Sequence, residues 1–138
     1  MFFAIDTKTI IYKPKPKLPR MSVYQPGTHI IATLESANIA KLQQFGDCKK
    51  IIDGLIGQYA LNNLGEVYHN FSPAGFTAVV CLSESHISIH TWPEYNKVNL
   101  DIYLSNFQRN NDGTVQAMLD ALVAFFEATI IDFENLKR

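Results

Sequence analysis

The sequence predicts an α+β fold, a two-layer sandwich in which two helices cover one face of a mainly antiparallel β-sheet. Four consecutive segments have the residue pattern of strands, and the short loops between them favour antiparallel pairing. Two further segments carry apolar residues at helical spacing. The chain has 138 residues, of which 47% are hydrophobic, so it can bury one core of its own.

The first elements are a strand and a helix. Residues 29–34 are apolar and β-branched, which predicts a strand. Residues 36–46 fit neither a helix nor a strand clearly. A helix is expected to begin at Asp47, a candidate N-cap, and to end at the Asn- and Gly-containing residues 62–65, because apolar residues recur between them at helical spacing.

Four strands follow in succession. The second of them is almost continuously apolar, which predicts a strand covered on both faces. In the third, His86, Ser88 and His90 alternate with isoleucines and therefore share one face. The four predicted strands are residues 66–71, 76–82, 86–90 and 98–104.

The end of the chain predicts a second helix and a last strand. The helix follows the turn at residues 110–113 and has an apolar stripe from Val115 to Phe126 that is typical of a core-facing helix. Ile130, Ile131 and Phe133 predict a short final strand.

The composition argues against several classes of protein. The net charge is −1, so we expect no nucleic-acid partner. No stretch approaches 18 apolar residues and the N-terminus lacks a signal pattern, so we expect no membrane partner. Cys48 and Cys81 are too few for a disulfide framework and match no zinc spacing. A cytoplasmic protein is therefore expected.

Residues 1–26 are expected to form a basic, proline-rich N-terminal arm that precedes a domain at residues 27–138. Five of the 12 basic residues and four of the six prolines lie in the first 27 residues. Two interpretations stay open: an arm that touches a partner, or a solvated tail or edge strand.

Reactive side chains are densest in residues 83–94, where two common kinds of site fit poorly. On a strand, His86 and His90 stand roughly 13 Å apart, too far for one zinc ion, so no metal site is expected. A hydrolase would need Ser85 or Ser88 with a histidine and Asp101, but neither serine lies in a Gly-x-Ser-x-Gly turn.

Three segments together match a known pattern. Residues 82–94 read Leu-Ser-Glu-Ser-His-Ile-Ser-Ile-His-Thr-Trp-Pro-Glu. Residues 71–77 read Phe-Ser-Pro-Ala-Gly-Phe-Thr, and residues 27–32 read Gly-Thr-His-Ile-Ile-Ala. The chain closely resembles the bacterial S-adenosylmethionine decarboxylase family over about residues 27–135, and residues 1–26 fall outside the resemblance.

The resemblance implies a pyruvoyl enzyme made by self-cleavage of a proenzyme. The cleaved bond would be Glu84–Ser85, and Ser85 would become the pyruvoyl group, the cofactor expected here. Its carbonyl would form a Schiff base with the substrate amine and accept the electrons left at Cα after decarboxylation. The family further implies a homodimer of processed protomers that acts on a small-molecule substrate, S-adenosylmethionine, in polyamine synthesis.

The same resemblance assigns roles to four more residues. His90 matches the family's processing histidine, and Thr77 stands where the family usually has a serine that assists processing. Phe71 and Glu94 match the positions that stack on adenine and hold the ribose hydroxyls. These residue types suit those tasks, since an aromatic ring stacks on a planar base and a carboxylate accepts two hydrogen bonds.

Ser105 is a further departure from the family. Ser105 stands where the family has a cysteine that reprotonates the substrate carbon, and a hydroxyl is a far weaker acid than a thiol with a pKa of about 8.5. Three explanations stay open: Ser105 relays a proton through water, another group such as Tyr103 or Cys81 serves, or the substrate differs.

That departure keeps two alternative functions open. One is a pyruvoyl-dependent arginine or ornithine decarboxylase on the same fold, which carbon dioxide release from labelled substrates would distinguish. The other is a non-catalytic homologue that acts as a regulatory partner of an active enzyme.

Overall fold

The computed structural model describes residues 23–138, which form six strands and three helices. The strands are β1 (Thr28–Ser36), β2 (Asn63–Asn70), β3 (Phe76–Leu82), β4 (Ser85–Trp92), β5 (Lys97–Leu104) and β6 (Ala128–Lys137). The helices are α1 (Ala40–Gln43), α2 (Gly46–Gln58) and α3 (Asp112–Phe125), and a 3-10 turn covers Pro93–Tyr95.

All six strands belong to one sheet with the order β2-β3-β4-β5-β1-β6, and every neighbouring pair is antiparallel. Strands β2 to β5 form a meander, as their short connections predict. Strand β1 comes first along the chain but lies between β5 and β6. The predicted α+β architecture is confirmed.

The core lies between one face of the sheet and the helices α2 and α3. Ile87 and Ile89 of β4 point into it and are almost completely buried. The predicted stripe of α3 is buried there as well, and the ring of Phe126 stacks on that of Phe76 with 6.5 Å between centroids. Each such buried side chain contributes about 1.5–3 kcal/mol, which fixes the register of the strands because a one-residue slip would expose them.

The opposite face of the sheet carries no covering element within residues 23–138. We call it the open face; it includes Ile31, Val67, Thr77 and Val79, and Val79 is 45% exposed. The prediction that residues 76–82 are covered on both faces is therefore wrong for a single chain. The apolar run arises because β3 has apolar residues on both of its faces, only one of which packs against helices.

Helix α2 differs from its predicted boundaries at both ends. It begins at Gly46 with Phe45 as the N-cap, so Asp47 lies in the first turn rather than at the cap. There its carboxylate still interacts favourably with the helix dipole. The helix ends at Gln58, earlier than the polar residues 62–65, and Ala60 follows with a left-handed φ of 49°.

Several strands are longer than their apolar patterns predicted. Strand β6 has ten residues instead of a short apolar segment, and the ambiguous residues 36–46 contain the four-residue helix α1. The polar residues Glu134 and Asn135 extend β6 because their backbone pairs with β1. Side-chain pattern does not report such backbone pairing at an exposed sheet edge.

The N-terminal arm, predicted for residues 1–26, lies outside the described residues except for residues 23–26, which have no regular secondary structure. Its role and the domain boundary at residue 27 stay predictions, as does the cytoplasmic location. Within residues 23–138, none of the helices has the length and apolar character needed to cross a bilayer.

Gly27 lies tightly against the end of β5, and we expect that its replacement by alanine lowers stability. A Cβ atom there would collide with the carbonyl oxygen of Leu104 and lie 2.9 Å from the Cα of Ser105. Such overpacking against backbone costs about 1–3 kcal/mol. Urea unfolding of the uncleaved chain measures the loss. Gly54→Ala is the control, because its Cβ would meet nothing within 4 Å inside α2; equal stability of the two variants would contradict the prediction.

Candidate functional site

The bond predicted to be cleaved lies where a tight hairpin turn enters β4. Strands β3 and β4 are joined by Ser83 and Glu84 alone, and Leu82 pairs with Ser85 across the hairpin. Ser85 has a φ of 137°, a backbone conformation that residues other than glycine rarely adopt. The turn therefore needs contacts from outside to hold it.

One of those contacts acts directly on the peptide group between Glu84 and Ser85. The backbone N–H of Ser105 donates a hydrogen bond of 2.8 Å to the carbonyl oxygen of Glu84. An N–H aimed at a carbonyl oxygen stabilises the negative charge that develops there when a nucleophile attacks the carbon. Ser105, the predicted proton donor, thus lies beside this bond, since its neighbour Leu104 pairs with Ser85.

The Glu84 side chain is held by two residues of the loop before α3. Arg109 donates to both carboxylate oxygens, from Nε at 3.0 Å and from Nη2 at 2.8 Å. Asn111 donates from Nδ2 to the Glu84 carboxylate at 3.0 Å and to the carbonyl oxygen of Ser105 at 2.8 Å. These bonds, Arg109 first, hold the pKa of Glu84 below its usual range.

Sequence reasoning did not identify Arg109 and Asn111. Residues 106–111 read as a polar turn before a helix, and nothing in their spacing points to a hairpin 25 residues earlier. The only available signal was an acidic residue, Glu84, in a turn next to an apolar strand, where a carboxylate needs a partner when it is largely buried.

His90 and Thr77 face each other near the other end of β4. They are directly paired across β3 and β4, and the Thr77 Oγ1 lies 2.6 Å from the His90 Nδ1. The two residues predicted to assist processing are therefore in direct contact.

A cavity of about 660 Å³ opens beside this pair. Its wall is mainly apolar and includes Phe71 and Trp92, which are about half exposed. Glu94 adds a carboxylate, and Thr77 and His90 complete the wall. The structure thus brings together the two predicted substrate-binding residues and the two predicted processing residues around one cavity.

Ser85 does not belong to that group within a single chain. Ser85 and His90 are five residues apart on the same strand, which is about 16 Å at the usual rise of about 3.3 Å per residue. One chain therefore holds the predicted site residues in two separate groups. We call the group of Glu84, Ser85 and Ser105 the cleavage half-site, after its predicted role, and the group of Phe71, Thr77, His90 and Glu94 the cavity half-site.

Two histidines and an aspartate meet on the open face near the cleavage half-site. The ligand atoms of His29, His86 and Asp101 lie within 4.8 Å of one another. However, the Arg138 Nη1 lies 3.1 Å from the His29 Nδ1, so a positive charge already occupies this cluster. Burial lowers the pKa of His29, and the neighbouring Arg138 charge acts in the same direction. We assign no metal to the cluster, because a guanidinium repels a cation.

The hydrolase alternative gains no geometric support. Asp101 is paired with Ser88 across β4 and β5. Within the described residues, neither Ser85 nor Ser88 is hydrogen-bonded to an imidazole, so the contact that activates a serine nucleophile is not formed.

The other candidate proton donors differ in their surroundings. Tyr103 lies on the open face between His29 and His86, with ring centroids 5.2 and 5.9 Å away. Cys81 is exposed and pairs with His86. Cys48, by contrast, is buried in the core, which raises the pKa of its thiol to about 12 and keeps it protonated.

Comparison with known proteins gives a consistent result. The family model for S-adenosylmethionine decarboxylase matches residues 28–138. A protein named S-adenosylmethionine decarboxylase proenzyme from Picrophilus torridus is 31% identical over 112 residues, which cover 81% of this chain and 83% of that protein. Its counterpart from Archaeoglobus fulgidus is 42% identical over 77 residues, 56% of this chain and 69% of the relative.

Other matches cover less of the relative or rest on structure. The protein of the same name from Sulfurihydrogenibium sp. is 40% identical over 77 residues, which span 56% of this chain and only 58% of that relative. The crystal structure of the adenosylmethionine decarboxylase from Aquifex aeolicus VF5 is similar with a TM-score of 0.68 and 26% identity, over 84% of this chain and 91% of that one.

Proposed function

The chain belongs to the S-adenosylmethionine decarboxylase family, and we propose that it is a proenzyme that cleaves itself between Glu84 and Ser85 to become a pyruvoyl-dependent decarboxylase of S-adenosylmethionine. One observation carries the proposal. Ser85 has a strained backbone at a hairpin turn, and the carbonyl oxygen next to it accepts a hydrogen bond from the Ser105 N–H. This arrangement suits attack of the Ser85 hydroxyl on the preceding carbonyl.

Cleavage proceeds through an ester. The Ser85 Oγ attacks the carbonyl carbon of Glu84 as its proton passes to a base, and the carbonyl electron pair moves onto oxygen. Collapse breaks the C–N bond, whose nitrogen takes up a proton, and leaves residue 84 as an ester on Ser85. A base then removes the Cα proton of residue 85, which expels the residue-84 carboxylate from Cβ. The resulting dehydroalanine tautomerises, and one water hydrolyses it to the pyruvoyl group and ammonia.

The residues of the cleavage half-site and their neighbours fit the formation and use of a pyruvoyl group. The Ser105 N–H lies where negative charge develops on the Glu84 oxygen, and the Glu84 side chain is fixed by charged and polar donors. A carbonyl at residue 85 supplies the electron sink for decarboxylation. Ser105 is the proposed proton donor to the substrate carbon, with its hydroxyl passing a proton from water.

The cavity half-site supports S-adenosylmethionine as the substrate. A cavity of about 660 Å³ is within the usual range for small ligands. Phe71 offers a face for the adenine ring and for the sulfonium charge. The Glu94 carboxylate accepts hydrogen bonds from the two ribose hydroxyls. Arginine and ornithine have neither an adenine ring nor ribose hydroxyls, so S-adenosylmethionine is the candidate substrate that uses both Phe71 and Glu94 in these ways.

Joining the two half-sites requires a second copy of the chain. In a two-fold dimer a surface patch meets itself in reverse, so residue i of one copy contacts residue j of the other and j contacts i. The Ser85 end of β4 can then meet the His90 end of its partner, giving two complete sites. His90 and Thr77 of one copy thereby act as base and hydroxyl relay for Ser85 of the other.

The open face is the proposed dimer surface. It exposes large apolar side chains, including Ile31, Val67, Val79 and Trp92, each at least 40% exposed. Exposed apolar side chains on a sheet face that no element covers are typical of an interaction site. Covering it with a second copy also gives β3 the two buried faces that its sequence predicted.

A denaturing intact-mass spectrum, with and without a hydrazine, tests the function. We expect two fragments, residues 1–84 and residues 85–138, the second of which begins with a carbonyl that the hydrazine traps. The processed protein should then release carbon dioxide from carboxyl-labelled S-adenosylmethionine and not from arginine or ornithine. A single uncleaved mass would favour the non-catalytic regulatory homologue, and release from a basic amino acid would overturn the substrate.

A further inference from the structure

We propose that Arg109 is a positioning residue for self-cleavage: it orients the Glu84–Ser85 peptide bond by holding the side chain that precedes it. The inference rests on the proposed function and adds to it residues from a loop that carries none of the assigned groups. Arg109 acts through Glu84 and touches neither the attacking hydroxyl nor the attacked carbonyl.

Three sets of contacts fix the turn between β3 and β4. The Ser83 N–H donates a hydrogen bond of 2.9 Å to the carbonyl oxygen of Asn62. The Ser105 N–H holds the Glu84 carbonyl oxygen at 2.8 Å. The third set is the fork of Arg109, the pair of hydrogen bonds that its Nε and Nη2 donate to the two oxygens of the Glu84 carboxylate. A two-point fork fixes the plane of a carboxylate as well as its distance.

Asn111 connects this fork to the group that polarises the scissile carbonyl. Its side-chain amide donates to the carboxylate of Glu84 and to the carbonyl oxygen of Ser105. Ser105 and Glu84 are therefore connected twice. One link is the backbone hydrogen bond between them, and the other is the Asn111 side chain, which donates to both residues. A shift of Glu84 would misalign the N–H with the carbonyl oxygen.

The outer end of Arg109 is also anchored. Its Nη2 donates 3.2 Å to the carbonyl oxygen of Ala60, the residue with a left-handed φ after α2. The Arg109 side chain is 41% exposed while that of Glu84 is 14% exposed. Removal of Arg109 leaves a largely buried carboxylate with Asn111 as its remaining side-chain donor, so we expect a loss of stability as well as a disturbed turn, and the test measures the two effects separately.

The test is the rate at which freshly synthesised chain converts to the two fragments, followed by denaturing mass spectrometry. Errors in positioning of about 1 Å slow a reaction on the order of 100-fold. We expect Arg109→Ala to cleave about 10- to 100-fold more slowly than the wild-type chain. Arg109→Lys should fall between them, because an ammonium keeps the charge but not the fork. Ethylguanidinium added to Arg109→Ala should restore part of the rate.

Lys49→Ala provides a matched control. Lys49 joins α2 to β2 through Glu66 and has a similar exposure of 32%, but its hydrogen bonds go to Asp53 and Glu66 rather than to the turn. The Lys49→Ala chain should cleave at a rate within about twofold of the wild-type rate, which is a much smaller change than the one expected for Arg109→Ala. Thermal unfolding of both variants, each combined with Ser85→Ala to prevent cleavage, separates stability from rate.

Two results would overturn the inference. One is cleavage of Arg109→Ala at the wild-type rate. The other is a slowing that follows a loss of thermal stability and that ethylguanidinium does not restore, which would make Arg109 a structural residue. A wild-type chain that stays intact is a different result, because it removes the proposed function and this inference together.

Discussion

Replacing Ser85 by alanine is expected to abolish cleavage, leaving a single uncleaved chain of 138 residues and no carbonyl for a hydrazine to trap. The hydroxyl is both the nucleophile and the source of the pyruvoyl carbon skeleton, so no neighbouring group can replace it. The variant should fold normally, because alanine tolerates the φ of 137° no worse than serine does.

Ser83→Ala is the control for this experiment. Ser83 lies in the same turn and is exposed, and its structural contact is made by the backbone, which alanine retains. It should cleave at the wild-type rate. Cleavage of the Ser85→Ala chain at residue 84 would refute the proposed nucleophile, and loss of cleavage in both variants would show that the turn itself is disturbed.

Mixing two inactive variants is expected to restore cleavage to only one of them. A His90→Ala chain keeps Ser85 but lacks the processing histidine, and a Ser85→Ala chain keeps His90. In a mixed dimer one of the two sites has both groups intact, and its Ser85 belongs to the His90→Ala chain. Co-expressed with tags of different mass, the His90→Ala chain should be cut and the Ser85→Ala chain should stay whole.

The expected yield follows from random pairing. With equal amounts of both variants, about half of the His90→Ala chains lie in mixed dimers and become cleavable. Alone, each variant should remain essentially uncut, since loss of a general base costs about 100- to 10,000-fold in rate. His90→Gln repeats the test with a side chain that retains hydrogen bonding. No cleavage in the mixture would mean that the site is not shared between copies, and efficient cleavage of His90→Ala alone would exclude His90 as the base.

The sequence was a good guide to local structure. Alternation in β4 correctly placed Ile87 and Ile89 on one face and His86 and His90 on the other, because successive side chains of a strand point to opposite faces. The structure adds that the isoleucine face is the one packed in the core. The spacing also predicted that one metal ion cannot join His86 and His90. Thr77 and His90, the two residues predicted to assist processing, are in contact across β3 and β4.

Long-range features could not be read from the sequence. The hydrogen bonds of Arg109 to Glu84 join residues that lie 25 positions apart. No local sequence pattern encodes the path of the backbone that brings them together. The separation of Ser85 from His90 was available from strand geometry, but the proposed way to bring the two residues together depends on a second copy of the chain. The start of α2 was misplaced because cap preference is a weak guide where, as at Phe45, no side-chain cap bond forms.

The place of β1 in the sheet has a consequence for what cleavage does to the chain. A cut after Glu84 leaves β1, β2 and β3 on one polypeptide and β4, β5 and β6 on the other. Because β1 lies between β5 and β6, the two pieces are interleaved rather than side by side, and backbone ladders hold them together along three seams. Unfolding changes from a unimolecular to a dissociative process, and separated pieces would have to insert one strand between two others to reassemble. We therefore expect the sheet to form before the proposed cleavage, because separated fragments would have to insert β1 between β5 and β6.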